Sequence, residues 1–236
     1  MKGTAWRAVA AAELRIMLRD KTVAATVVLL PLFVASTALA SPTPDTVAHS
    51  VLFMLLIGVH ATLAATLAAR RKDLFLKRLR SGADPDASII VGLVLPAVLV
   101  TCGQLVLLVV VLSYTSLSAP DNAGLLVLAI VSGALMCTGV AMATSAFTAS
   151  AEQAQVTTMP FLVVAIGGNL LVQERAPEHL RWLGYLVPGD GVVDLAIGAW
   201  EGMGVGSAFL ALASVTAWTL IGAALGIRLF RWEPRH

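Results

Sequence analysis

Few side chains in this sequence can do chemistry, and they fall in three places. Between Arg70 and Asp86 there are nine charged residues, six of them basic. A set of carboxylates, Glu174, Glu178, Asp190, Asp194 and Glu201, is spread through residues 173–205 and reads as a solvated face. His60 is the one titratable side chain at the centre of an apolar block, close to Thr62 and Thr66; Gln104 and Asn169 are the other strongly polar residues inside such blocks. No HExxH, GxSxG or GxxxxGK[ST] pattern occurs, so zinc-protease, serine-hydrolase and P-loop ATPase chemistry have no carrier in this chain. Cys102 and Cys137 lack CxxC spacing and are expected to pack as small apolar residues, with neither a metal site nor a disulfide.

The elements that must position these groups are apolar helices. Hydrophobic residues make up 58% of the 236-residue chain and charged residues 13%, where a soluble domain carries about 25% charged. The apolar residues come in blocks of bilayer-spanning length. Six spans are expected, near 22–40, 49–69, 89–112, 123–147, 156–173 and 206–230, in a single transmembrane domain covering 1–236. The fold class is therefore all-α and polytopic. Of the sixteen Lys and Arg residues, all but Arg175 and Arg181 fall on one side of these blocks. The positive-inside rule puts that side, with both termini, in the cytoplasm. The first 41 residues resemble a secretory signal ending in "ALA". The leader before the apolar block is long for that role and contains Glu13 and Asp20, so the block is read as a retained anchor.

Ion-coupled carriers keep ionisable groups within the membrane. Here His60, Gln104 and Asn169 are the candidates for lining a pathway. The competing reading is that each hydrogen-bonds across a helix interface, worth about 0.6–2 kcal/mol. Residues 3–20 are expected to form an interfacial helix, with Trp6, Val9, Ala10, Leu14 and Met17 on one side and Arg15 and Arg19 opposite. Glu13 interrupts the apolar side, and a plain extension of the first span is the alternative. Within "RRKDLFLKRLRSGADPDAS", a helix over 70–80 places Phe75, Leu76 and Leu79 on one flank. Arg70, Asp73, Lys77 and Arg80 then line the other. Gly82 ends that helix, Pro85 turns the chain, and Asp86 or Ser88 caps the next span. Basic residues follow from topology alone; the apolar flank needs something to bury against. The G-x-x-x-G spacings Gly198/Gly202 and Gly222/Gly226, like the abundant small residues within the spans, do not by themselves separate one function from another.

In order and spacing these segments resemble the ABC-2 type permeases, the membrane subunits of ATP-driven exporters. "ELRIMLRDKT" precedes a span containing Pro31, and Leu76, Lys77, Leu79, Arg80 and Pro85 match the core of the family's second loop, commonly E-R-E-x-G-x-L-K-x-L-R-x-x-P. Its glutamates and glycine are replaced here by Arg, Lys and Asp73. "SAEQAQVTTMPFL" is similar to the fourth loop and fifth span. "PEHLRWLGYLVPGDGVVDLAIGAW" is similar to the extracellular re-entrant region, with Pro177, Leu180, Trp182, Leu183 and Pro188 in place. The usual Arg near its end is replaced by Gly198-Ala199-Trp200.

The resemblance implies two permeases, identical or related, paired around a pathway in a bacterial plasma membrane. Each would dock a separate ABC ATPase through a coupling helix bearing Phe75, Leu76, Lys77, Leu79 and Arg80, with a lesser contact at Glu152. Short extracellular helices with Pro177, Trp182 and Pro188 would form an outer gate. ATP and Mg would sit on the ATPase, no cofactor on this chain, and no nucleic acid is a partner. The cargo expected is a hydrophobic drug, antibiotic, peptide or lipid. Two other readings stay open: a non-transporting scaffold or immunity protein, and a proton-coupled carrier using His60.

Overall fold

The computed structural model describes residues 5–19, 21–72, 86–115 and 117–229. All regular structure among them is helical: α1 (Ala5–Arg19), α2 (Lys21–Ala40), α3 (Pro44–Leu55), α4 (Thr62–Lys72), α5 (Asp86–Thr115) and α6 (Ala123–Phe147) come first. Then follow α7 (Ala151–Thr157), α8 (Met159–Arg175), a 3-10 segment (Glu178–Leu186), α9 (Asp190–Glu201) and α10 (Val205–Leu229). A π turn, Leu56–Ala61, joins α3 to α4 into one continuous rod.

Among the described residues five stretches are long and apolar enough to cross a bilayer: Pro44–Arg71, Ser88–Tyr114, Ala123–Phe147, Ala151–Gln173 and Val205–Leu229. The block expected near 22–40 forms α2, in which Val27–Ala40 is the apolar stretch among the residues whose side chains are described. The α3–α4 rod and α6 are the inner pair. Leu52, Leu55, Leu56, Met136 and Cys137 are fully buried there. By contrast α2, α8 and α10 leave large apolar side chains uncovered, among them Phe33, Val163 and Phe209.

Small residues decide how closely the rods approach. A methyl group placed on Gly222 would lie 2.6 Å from the Val140 backbone nitrogen, and one on Gly139 would lie 2.9 Å from the Thr219 carbonyl. Glycine here lets α6 and α10 touch backbone to backbone, which is how helices gain contact where lipid removes the hydrophobic drive. The other glycine pair acts differently. Gly202 has φ +80° with open space around its Cα and ends α9, so Gly198/Gly202 is a helix terminus and no packing seam.

Local capping fixes the element ends. Thr43 accepts from the Thr46 amide with Pro44 following it at the start of α3, and Asn122 accepts from the Leu125 amide at the start of α6. Ser150 accepts from the Gln153 amide while the Gln153 side chain accepts from the Ala149 amide, a reciprocal exchange that starts α7.

Candidate functional site

The bundle has two polar ends. At the basic end α1 lies against the beginning of α5, where Gly92 leaves room for Val9 and the Trp6 carbonyl. Glu13, the acid that breaks the apolar side of α1, is buried and takes both Arg70 Nε (2.7 Å) and Arg70 Nη2 (2.9 Å) on its two carboxylate oxygens. Such a two-pronged pair is stronger and more directional than a lysine contact. The next residue, Arg71, is also buried and donates to the Thr148 carbonyl in the turn between α6 and α7. Thr148 in turn shares a 2.7 Å hydrogen bond with the Thr157 hydroxyl. Two consecutive arginines thus tie the end of α4 to α1 on one side and to the α6–α7 turn on the other.

The segment that follows these arginines carries Phe75, Leu76, Lys77, Leu79 and Arg80, with Gly82 and Pro85. It lies outside the described residues. Glu152 is exposed on α7, close in sequence to the Thr148 anchor. Of the residues expected on the interfacial helix, Leu14, Arg15 and Arg19 are exposed. Trp6 is half-buried, with the Arg7 guanidinium 5.2 Å from its ring centre. A cavity of about 500 Å³ opens above the Glu13–Arg70 pair, with Ile57, Ala61, Ala65 and Gln104 among its walls.

The three mid-block polar residues are not brought together. His60 is fully buried in the π turn; its Nε2 is 3.2 Å from Thr144 Oγ1, its ring meets Phe161 edge-on, and Nδ1 has no partner. Gln104 donates to the Val27 carbonyl at 2.6 Å. That carbonyl is available because the residue four positions on is Pro31, which has no N–H to return. Asn169 belongs to neither; it serves the opposite end.

At that end the 3-10 segment and α9 fold into the bundle as a cap. Pro177 and Trp182 are exposed, whereas Pro188 is buried. Gly189, at φ +93°, turns the chain into α9 and lies against Leu52. The far end of α9 is held by the Asn122 amide donating to the Ala199 carbonyl (2.9 Å) and the Trp200 indole donating to the Ser118 carbonyl (2.8 Å). Asp190 is buried, not solvated, because α9 is enclosed by α3, α6 and α10. Asn169 Nδ2 donates to Asp190 Oδ1 at 2.8 Å, and Asn169 Oδ1 lies 2.7 Å from His49 Nε2. Burial pushes the Asp190 carboxyl up to about 7, with Asp194 adding to the rise and the Asn169 bond and His49 opposing it. Burial raises Asp194 as well. The side chains of Glu174 and Glu178 lie outside the described set.

Sequence reasoning therefore missed Glu13, Arg71, His49 and Asp190. The one visible signal was Glu13 standing in an otherwise apolar face. No cluster of metal-ligating side chains occurs among the described residues.

A comparison with curated proteins gives no match. The family model for the ABC-2 type transporter matches residues 4–199, which takes in α1, the arginine junction and all but the end of the cap. A helical bundle with several bilayer-length stretches and a match over most of its length make this a multi-pass membrane protein and a transport subunit; the chain belongs to the ABC-2 type transporter family.

Proposed function

We propose that this chain is the permease subunit of an ATP-driven exporter in a bacterial plasma membrane, with α2 as a sixth span and both termini in the cytoplasm. Two permeases, identical or related, form the pathway, and each docks a separate ABC ATPase, which binds ATP and Mg. The docking element is the segment bearing Phe75, Leu76, Lys77, Leu79 and Arg80, and Glu152 makes a lesser contact. The observation that supports this most is the arginine junction. Force applied to that segment reaches Arg70 and Arg71 first. Through Glu13 and Thr148 it then reaches α1, the α6–α7 turn and the α3–α4 rod together. A coupling element needs such a rigid junction, since a slack one would dissipate the stroke of the ATPase. The uncovered apolar faces of α2, α8 and α10 fit lipid and a second permease. The cargo is a hydrophobic drug, antibiotic, peptide or lipid, in keeping with walls that offer few charged groups, and residues 174–204 act as the outer gate.

The test is co-purification of the chain with its partner ATPase, comparing wild type with a Phe75→Asp, Leu79→Asp double variant. Loss of the ATPase from the double variant, with the permease still recovered in the membrane, is the expected result. Unchanged association overturns the docking assignment. ATP-dependent flux into vesicles separates the exporter from a membrane scaffold, which gives none. It also separates it from a carrier driven through His60, which does not need ATP.

A further inference from the structure

The outer cap is fastened by a chain of three side chains from three helices. His49 on α3 places Nδ1 2.9 Å from the Asp45 carbonyl and 3.5 Å from the Asp45 carboxylate. Its Nε2 is 2.7 Å from Asn169 Oδ1 on α8, and Asn169 Nδ2 is 2.8 Å from Asp190 Oδ1 on α9. Asn169 is fully buried and Asp190 nearly so. One end of the chain reaches exposed Asp45, and the other is sealed in the protein.

An amide has one accepting and one donating end, and its two orientations exchange them. With Asn169 donating to Asp190, its oxygen faces His49 Nε2, which must then carry a proton. The Asp45 carbonyl beside Nδ1 demands a second one, so the ring donates from both nitrogens. With the amide turned over, Nε2 accepts and the ring is neutral, but the Asn169 oxygen now faces Asp190 Oδ1, and the carboxyl must be protonated to donate. Either way His49 and Asp190 together hold at least one proton more than neutral imidazole plus carboxylate. Without it, one contact in the chain sets two lone pairs against each other.

We propose that His49, Asn169 and Asp190 are a proton-binding latch, which holds the cap on α3 and α8 while the pair is protonated and releases it when the last proton leaves. The cap's role as an outer gate comes from the proposed function, and the latch rests on that reading for its purpose but not for its chemistry.

The groups facing Asp190 set the direction of the response. From α9 itself Asp194 adds negative charge, from α3 His49 opposes it, and from α8 Asn169 bonds it. The 3-10 segment brings Tyr185, whose phenol is raised by burial and by both aspartates and so stays neutral beside them. From α10 the Ser214 hydroxyl donates to the Tyr185 carbonyl at 2.6 Å, and α6 presents Val192's neighbour Gly133 with no charged group among the described residues. Gly184 is pressed against the Asp190 carboxylate and admits no side chain. With its carboxyl raised to about 7 in the closed cap and returned to the ordinary aspartate value near 3.8 in water, Asp190 is more protonated closed than open. Acid therefore favours the closed cap. Opening rises as pH rises toward about 7, by at most about tenfold per pH unit, and levels off above that.

Hydrogen exchange of residues 189–201, corrected for its intrinsic pH dependence, tests this in the full chain reconstituted in nanodiscs. Wild type is expected to lose protection in the cap between pH 5 and 7, while α6 keeps its protection throughout. Asp190→Asn, which is always neutral and both donates and accepts, is expected to hold the cap protected with no slope. Asn169→Leu, which neither donates nor accepts and so breaks both contacts, is expected to lose protection at every pH. A flat wild-type profile, or the wild-type slope persisting in Asp190→Asn, overturns the latch. If the exchange behaves as expected but Asp190→Asn exports cargo with the wild-type pH profile, the latch stands and the gate reading fails.

Discussion

Each end of this bundle buries a carboxylate, and the two are treated in opposite ways. Glu13 at the basic end receives a two-pronged arginine; Asp190 at the cap receives one amide and a second acid a turn away. A guanidinium never loses its proton in the physiological range, so the first contact always has a charged donor. An amide supplies no charge, so the second depends on a proton that solvent can add or take. On the proposed function this is a useful division: the end that would receive the stroke of the ATPase is bolted, and the end proposed to open is held by something that can be withdrawn.

The largest effect expected from breaking this contrast is at the bolt. Arg70→Met leaves Glu13 buried with no cation, a change that costs about 3–5 kcal/mol in comparable buried pairs. Thermal unfolding of the purified chain should show it, together with loss of exchange protection in α1. Adding Glu13→Leu should recover most of that loss, because an apolar pair of similar size needs no desolvation of charge. If the double variant is as unstable as the single one, the pair matters for some other reason than its buried charge.

The same comparison at the cap predicts a smaller and pH-dependent effect. A carboxyl raised in the folded state contributes stability that is complete below its unfolded value and lost as pH rises through about 7. Asp190→Asn should therefore match wild type near pH 4 and exceed it at pH 8, by roughly 1–3 kcal/mol, the usual penalty for a poorly satisfied buried polar group. Unfolding measured at the two pH values checks this. Equal gaps at both would place the effect in packing and not in the proton.

How much of this was legible follows from where each contact's partner lies. The helical class and the apolar rods are written in composition, and the Gly222/Gly226 seam in local spacing. Gly198/Gly202 has the same spacing and ends a helix, because packing depends on the surface opposite and not on the motif. Glu13 was visible as an intrusion on an apolar face, but its partner is 57 residues away and no local pattern names it. Asp190 looked like one of five scattered acids; only the folding of α9 between α3, α6 and α10 takes it out of water. The π turn around His60 left no signature at all, since a single widened turn does not alter a run of apolar residues.

The smallest expected effect lies between the two ends and gives the scale for a contact with no charge in it. Pro31 cannot return a hydrogen bond to the Val27 carbonyl, and Gln104 reaches across from α5 to supply one. Gln104→Leu should cost about 1 kcal/mol, the order measured for hydrogen bonds between membrane helices. In a Pro31→Ala background the helix closes its own bond to that carbonyl, and the same Gln104→Leu change should then cost much less. Thermal unfolding of the four variants gives the difference directly. A coupling near zero would mean that the freed carbonyl finds another donor, and that the glutamine is held in place by the walls of the cavity it faces.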